Sequence, residues 1–247
     1  MRRKISYLIP IIVIALAAGA SQQPLLSDIP VVDGEKLLNE KYHTPLTREA
    51  LLSALYDSDS SVRVLAASKL AAAGQKDVVP FILAALERES VPGARMTLAL
   101  IAARLREPAG IVALEGMCGN LNWDSGLRMS AAQTMDQLNR DDCLPDILSF
   151  LSAPDDNQAA IMALNSLHYH HDQASAEQIQ EIRRFVPTFL KNADPMVRVY
   201  ASEVLGKFGD SSSALDLRNA LAIEHVESAM DAMSAALSVL EKKPREP

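Results

Sequence analysis

An arginine column recurs along the chain at nearly constant spacing. Its members are Arg63, Arg95, Arg128 and Arg198, with Ala160 at the equivalent position between the last two. The successive spacings are 32, 33, 32 and 38 residues. Each unit also holds a small residue three or four positions later, at Ala66, Ala99, Ala131, Ala163 and Ala201. Periods of about 30 to 45 residues with two apolar helical segments each are typical of stacked helical solenoids.

This periodicity predicts an all-α fold, a right-handed α-solenoid of about six stacked two-helix repeats over residues 46–240. The last unit, His225 to Leu240, is degenerate and keeps a stripe of alanines. The longest spacing predicts an insertion around residues 171–185, as an added or lengthened helix. Composition agrees, because 49% of the residues are hydrophobic but only 4% are aromatic, and alanine side chains let helix backbones approach closely.

Polar residues mark the helix ends that such repeats require. Second helices are expected to begin after short turns at Asp59, Gly93, Gly126, Asp156 and Asp194. Ser175 with Gln178 resembles a capping box, and Gly74 suits a helix end.

Together these features resemble the HEAT repeat superfamily, and the short repeat length resembles the HEAT-like repeats of phycobilin lyases. The resemblance implies that an acid column and the arginine column form a ladder between neighbouring repeats, through the pairs Asp59–Arg63, Asp124–Arg128 and Asp194–Arg198. The ladder is expected to break at Arg95, which lacks the preceding acid, and at Ala160, which lacks the arginine.

Residues 1–20 have the pattern of a secretory signal peptide. A basic start precedes an apolar run, and Ala18-Gly19-Ala20 suits a cleavage site that leaves Ser21 as the N-terminus. The pattern predicts a periplasmic or secreted protein, and the alternative is an uncleaved anchor in the inner membrane. Residues 21–45 are interpreted as a linker, in which Glu35 to Tyr42 could form a short helix, and residues 241–247 as a C-terminal tail.

The formal net charge is −7, and removing the three positive charges of the N-terminal segment leaves −10. A body this acidic repels phosphate backbones, so nucleic acid is not an expected partner. A membrane is expected as a partner only through an uncleaved N-terminal segment.

The two cysteines are predicted to be free and buried. Cys118 ends the first helix of the third repeat, and Cys143 begins the first helix of the fourth. Equivalent helices of neighbouring repeats are expected to run parallel, which places the two residues at opposite ends. A disulfide requires Cα atoms within about 7 Å, so none is predicted.

The segment His168 to Asp172 contains the strongest candidate for a metal site. His168, His171 and Asp172 would converge if the helix continued, and their atoms could hold Zn²⁺ or Ni²⁺. The repeat register places the segment at a helix C-terminus, where the dipole also favours histidine, and a solvated helix end is expected. Iron enzymes of the HEAT class carry His-Glu pairs, and no histidine here precedes a glutamate. No metal, cofactor or catalytic residue is therefore predicted.

The remaining candidate for function is a surface. Positions two, five and nine residues after the arginine column share one stripe of the second helices, which line the concave face of such solenoids, whereas Val62, Leu127 and Val197 are predicted to be core. The stripe residues predicted to bind a partner are Arg104, Gln133, Gln137, Asn165, Tyr169, Tyr200, Glu203 and Lys207. The sequence thus predicts a non-enzymatic interaction scaffold of the cell envelope that binds a protein or an extended peptide. The alternative is a metal-dependent or bilin-lyase-like enzyme.

Overall fold

The computed structural model describes residues 31–74, 76–172 and 174–242, and every regular element in these ranges is helical. The α-helices are α1 (Val31–Lys36), α2 (Arg48–Ala54), α3 (Ser60–Ala72), α4 (Val79–Arg88), α5 (Pro92–Arg104), α6 (Pro108–Cys118), α7 (Ser125–Asp136), α8 (Leu144–Ser152), α9 (Asn157–His170), α10 (Ala176–Phe185), α11 (Pro195–Phe208), α12 (Ser211–Leu221) and α13 (Glu227–Lys242). A π-helix, Leu37–Lys41, follows α1, and 3₁₀-helices cover Lys76–Val78 and Val186–Lys191.

The helices form consecutive pairs that stack along the chain. The pairs are α2 with α3, α4 with α5, α6 with α7, α8 with α9, α10 with α11, and α12 with α13. Second helices lie against second helices, since α3 contacts α5, α7 contacts α9, α9 contacts α11, and α11 contacts α13. The prediction of an all-α solenoid is confirmed. The predicted insertion corresponds to a lengthened first helix, in which α10 continues directly into Val186–Lys191.

The segment interpreted as a linker is helical in the part that the structure describes. α1 packs against α3, and Leu38 in the following π-helix is 1% exposed. Glu35 forms an ion pair with Lys69 of α3. Residues 31–41 therefore belong to the folded body, because Leu38 is buried against the first repeat. The predicted signal segment, residues 1–20, lies outside the described residues, as do residues 243–247. Among the helices described, none has the length and apolarity needed to cross a membrane.

Aspartates begin most of the second helices. The carboxylates of Asp59, Asp124, Asp156 and Asp194 accept hydrogen bonds from first-turn amides of α3, α7, α9 and α11. First-turn amides have no intrahelical acceptor, so these contacts fix where each helix starts. The capping box of Ser175 and Gln178 is confirmed. Gly74 has φ of +68°, as a helix-ending glycine requires.

The arginine ladder exists, but its acids differ from the predicted ones. Arg63 donates two hydrogen bonds of 2.7 Å to Glu89 of the next repeat, and Arg198 donates two, of 2.5 and 2.8 Å, to Glu224. Each glutamate lies 26 residues after its arginine. The predicted acid column caps helices instead. An aspartate four residues before the arginine lies at the N-terminus of the same helix, where its carboxylate meets the free amides.

Every arginine of the column also binds carbonyl oxygens at the end of a first helix or in the turn that follows it. Arg63 reaches Asp57 and Ser58, and Arg198 reaches Asn192 and Ala193. Arg95 and Arg128 make this contact as well, to Leu86 and Glu89 and to Cys118 respectively. The residues 26 positions after Arg95 and Arg128 are Leu121 and Pro154, so neither arginine has an acid at the ladder position. The predicted breaks at Arg95 and at Ala160, which has no guanidinium, are present, and a third occurs at Arg128.

Helix α6 packs between α5 and α7, and a glycine in α6 brings its backbone against α5. Gly110 is buried in the first turn of α6. A Cβ atom on Gly110 would lie 2.4 Å from both the carbonyl oxygen of Ala99 and the amide nitrogen of Ala103 in α5. The two backbones therefore touch, as only glycine permits.

Cys118 and Cys143 form a disulfide, with Cα atoms 5.8 Å apart, so the prediction of two free thiols is wrong. The helix register is right, because α6 ends at Cys118 and Cys143 directly precedes α8. The error lies in the assumption that α6 and α8 run side by side. α6 packs between α5 and α7, while α8 packs against α7, α9 and α10. The end of α6 consequently meets the start of α8.

Replacing Gly110 by alanine should lower the free energy of unfolding by about 1 to 3 kcal/mol, the usual cost of overpacking. Gly116 on the same helix is a matched control, because a Cβ there would meet no atom within 4 Å. Gly116→Ala should be neutral or stabilising by up to about 1 kcal/mol. Urea denaturation of both variants measures the difference, and equal stabilities would contradict the α5–α6 contact.

Glu224→Gln should destabilise the protein by about 2 kcal/mol at pH 7, because it breaks charge-assisted hydrogen bonds. The two bonds from Arg198 lower the pKa of Glu224 to about 2, against the opposing effect of burial. A carboxylate with a lowered folded-state pKa contributes its stability above the unfolded-state value and loses it as the pH falls through the folded-state pKa.

The stability difference between wild type and Glu224→Gln should therefore be complete above about pH 5 and shrink towards pH 2. Glu241→Gln is the control, since Glu241 pairs with Arg218 at 2.7 Å but both side chains are more than half exposed. Its cost should stay below about 1 kcal/mol. Equal costs for the two variants at pH 7 would contradict a stabilising ladder.

Thiol titration of denatured, unreduced protein should count no free thiol, and titration after reduction should count two. Reduction should lower the free energy of unfolding by about 3 kcal/mol, because the bond closes a loop of 25 residues in the unfolded chain. The double variant Cys118→Ser, Cys143→Ser should match the reduced wild type and no longer respond to reductant. Two thiols before reduction would refute the disulfide.

Candidate functional site

The second-helix face carries the residues that the sequence predicts to bind a partner, and none of them is buried. Tyr169 and Gln137 are exposed, and Tyr169 is 56% exposed. The half-buried members are Arg104, Gln133, Asn165, Tyr200, Glu203 and Lys207. The predicted core positions differ from them, since Val62 and Val197 are 2% and 0% exposed, although Leu127 is half-buried.

Two of these residues bind neighbouring helices. The side-chain amide of Gln133 in α7 donates to the carbonyl oxygen of Met162 in α9 at 3.4 Å. The ammonium of Lys207 in α11 donates to the carbonyl oxygens of Leu167 and His168 at 3.3 and 2.5 Å. Lys207 thus satisfies carbonyls at the end of α9, where the helix has no donor of its own. Gln133 and Lys207 join second helices of successive repeats, a role that the sequence analysis missed.

The aromatic cluster of Tyr169, Tyr200 and Glu203 lies where α9 and α11 pack together. The pKa of Tyr169 is raised, first by burial of its hydroxyl and then by the negative charge of Glu203 and by Tyr200. The ring of His168 packs edge-on against Tyr169, with centroids 4.5 Å apart. Of the predicted stripe, Tyr169 on α9 and Tyr200 and Glu203 on α11 therefore lie on two helices that pack together, within electrostatic range of each other. Arg104, Gln137 and Asn165 lie on other helices or other turns of this face.

The residues of the predicted metal site each contact a different group. α9 ends at His170, and His171 is 1% exposed, so the expectation of a solvated helix end is wrong for His171. Asp172 forms an ion pair of 2.6 Å with Lys207, while His168 packs on Tyr169. Across the ranges that the structure describes, no group of three or more histidine, cysteine, aspartate or glutamate side chains is arranged to hold a metal ion.

A buried polar network joins the ends of α7 and α9. Ser166 Oγ donates to Asp136 Oδ2 at 2.6 Å and lies 3.1 Å from His171 Nε2. His171 Nδ1 lies 3.0 Å from Asp141 Oδ1, and Nε2 lies 3.2 Å from Asp136 Oδ1. Ser166, His171 and Asp136 are at most 3% exposed. Both imidazole nitrogens therefore face carboxylate oxygens.

Asp141, His171 and Ser166 are arranged like a nucleophilic triad, but the serine hydroxyl donates to a different acceptor. A nucleophilic serine donates its proton to the histidine, whereas Ser166 donates to Asp136. Ser166 is also 1% exposed and lies inside helix α9, out of reach of a substrate. The network is a structural link between repeats. Ser166 and His171 come 30 and 35 residues after Asp136, about one repeat, and that spacing is the signal that could have revealed it.

Two clefts lie near the end of α7. One, of about 420 Å³, is lined by residues that include Ala103, Arg106, Ile111 and Arg140. The other, of about 180 Å³, adjoins Asp136, Asn139 and Asp141. None of the predicted partner-binding residues lines either cleft, so the predicted surface is a helical face rather than a cavity.

Comparisons with known proteins bear on the repeats. Two solved structures show weak similarity: human deoxyhypusine hydroxylase in complex with glycerol is 15% identical with a TM-score of 0.39, covering 88% of this chain and 82% of that chain. An engineered protein is 17% identical with a TM-score of 0.33, covering 87% of each chain. At such TM-scores neither likeness carries an argument about fold or function. No curated protein sequence gives a significant match.

One family model does match the chain. It is described as HEAT repeats and covers residues 48–135, which correspond to α2 through α7. The arginine column of these repeats and their paired helices agree with that match. Residues 48–135 are therefore similar to HEAT repeats.

Proposed function

We propose that this protein is a non-enzymatic interaction scaffold that binds another protein, or an extended peptide, through its second-helix face. One observation carries the proposal: Tyr169 is 56% exposed and Tyr200 and Glu203 are half-buried on that face, whereas the neighbouring Val197 is 0% exposed. Tyrosine is enriched at protein interfaces, since it offers a large ring and a polar tip at little entropic cost. HEAT repeats over residues 48–135 support a scaffold role in general.

We further propose that the protein acts in the cell envelope, as a periplasmic or secreted protein or as one anchored in the inner membrane by its N-terminal segment. The disulfide between Cys118 and Cys143 supports this location, because disulfides persist in oxidising compartments. The signal-like pattern of residues 1–20 supports it independently. The finer resemblance to repeats of the phycobilin-lyase type stays a prediction.

The alternative function, a metal-dependent or bilin-lyase-like enzyme, gains no support from the histidines. His171 faces two carboxylates inside the protein, and the serine beside it donates its proton away from the imidazole. The scaffold proposal accounts better for a polar and aromatic face that lines neither cleft.

Replacing Tyr169 or Tyr200 by alanine should weaken partner binding by about 1 to 2 kcal/mol, the usual loss for a truncated interface aromatic. The thermal midpoint should move little, because neither ring is fully buried. The measurement compares retention of envelope proteins by immobilised wild type and variants, followed by the affinity of the retained partner.

Two controls make this test specific. Tyr56→Ala removes a tyrosine that is 49% exposed in the turn after α2, where the guanidinium of Arg88 covers its ring, and should leave retention unchanged. Val197→Ala should lower stability by creating a cavity. If Tyr200→Ala unfolds the protein as readily as Val197→Ala, or if neither tyrosine variant alters retention, the proposed face is wrong.

A further inference from the structure

The helix pairs form six units, from unit one (α2 with α3) to unit six (α12 with α13). In the part of the chain that the structure describes, no helix pair follows unit six. Its position in the arginine column is held by Met230, 32 residues after Arg198, the same interval as between Arg63 and Arg95. Because Arg63 and Arg198 reach acids in the following units, the Met230 position faces the place where a seventh pair would stack.

Two further positions of unit one contact unit two. Arg48 lies 15 residues before Arg63 and forms an ion pair with Asp77, which precedes α4. Tyr56 lies seven residues before Arg63, and the guanidinium of Arg88, near the end of α4, lies 5.0 Å from the centre of its ring. Both contacts join the first helix of one unit, or the turn after it, to the first helix of the next.

The same positions can be located in the later units by counting from the column. Arg183 of unit five lies 15 residues before the column arginine of its unit, and it forms an ion pair of 3.6 Å with Asp210, which caps α12 of unit six. Counted back from Met230, the two positions of unit six fall on Leu215 and Ile223. Unit six therefore has apolar side chains at all three positions that contact the next unit in unit one.

These three side chains are exposed along α12 and the turns that follow it. Leu215 is 57%, Ile223 is 69% and Met230 is 40% exposed. The end units of solenoids ordinarily need a polar outer surface, and the exposed Asp231 and Ser234 of α13 agree with that rule. The three apolar positions depart from it. Exposed apolar side chains gathered on one side of a protein are typical of an interaction surface.

The other end of the stack is already covered. Ser166 and Lys69 each lie six residues after the column position of their unit. Ser166 contacts Asp136 of the preceding unit, and Lys69 contacts Glu35 of α1. Beside α3, the segment of α1 therefore occupies the place of a preceding second helix, and Leu38 just after it is buried. A head-to-tail contact between two chains would have to displace this segment.

We propose that the terminal flank, defined by Leu215, Ile223 and Met230, is the contact surface of a homodimer in which two chains meet through unit six. The contact continues the stacking of units beyond the end of one chain. A flank that meets its own copy around a two-fold axis must be self-complementary, and apolar side chains meet this condition whereas like charges do not. The chain carries a net charge of −7, so two copies repel each other and associate through an uncharged surface at the least cost.

Sedimentation equilibrium of the full chain over a range of concentrations tests the proposal. The mass should rise from that of one chain to that of two and stop there, because a two-fold contact closes on itself. Added salt should strengthen the dimer, since it screens the repulsion between two acidic chains. A mass that stays at one chain up to about 100 μM, where even weak specific dimers form, would overturn the proposal. A mass that continues to rise past two chains would also overturn it.

Substitutions locate the contact. Leu215→Asp and Ile223→Asp should each raise the dissociation constant of the dimer at least about tenfold, because each places a carboxylate near its own copy. Leu121→Asp is the matched control, since Leu121 is 78% exposed in the turn between α6 and α7, away from unit six, and it should leave the constant unchanged. Thermal midpoints measured in parallel should move little, because all three positions are exposed.

The assignment to unit six is refuted if neither Leu215→Asp nor Ile223→Asp weakens the dimer, or if Leu121→Asp weakens it equally. These outcomes leave the scaffold proposal untouched, because none of the three flank residues belongs to the predicted partner-binding stripe. Retention of an envelope partner by the Ile223→Asp variant at wild-type level would show that the two surfaces act separately.

Discussion

The stack depends on how the first helix of each repeat ends. The last carbonyl groups of a helix have no donor within it, and short helices in adjacent pairs leave many such ends close to one another. The arginine column contributes donors there, because Arg95 and Arg128 donate to last-turn carbonyls of a first helix, and Arg63 and Arg198 to carbonyls in the turn that follows one. A fork of donors on a long side chain can serve two carbonyls and still reach an acid in the next repeat. The column therefore fixes the angle within each pair and, at Arg63 and Arg198, the spacing between pairs.

The features that were predictable from sequence are those set within one repeat. The arginine spacing, the aspartates that begin α3, α7, α9 and α11, and the capping box at Ser175 all follow from local chemistry, and the structure contains them. The predictions that failed concern contacts between repeats. Glu89 and Glu224 lie in turns of the next unit, so no spacing within one unit points to them.

The disulfide and the buried His171 were missed for related reasons. The register placed Cys118 and Cys143 correctly at helix ends, but it assumed that α6 and α8 run side by side, whereas the end of α6 meets the start of α8 and the two Cα atoms are 5.8 Å apart. The sequence predicted which helix positions form the candidate face, but not which of those side chains contact a neighbouring helix. Which members remain accessible and which bridge helices depends on the neighbouring helix: Lys207 reaches the end of α9, while Tyr169 and Glu203 do not bridge in this way.

The disulfide has a consequence for how the stack comes apart. In a solenoid each unit contacts mainly its neighbours, so unfolding can begin at either end and spread, and cooperativity depends on the weakest junction. Charged ladder contacts join units one and two and units five and six, and both central arginines lack an acid at that position. The disulfide spans the junction between units three and four, inside the interval that the ladder leaves uncovered. It thereby adds a covalent link at that junction, beside the polar network of Asp136, Ser166 and His171 that joins the same two units.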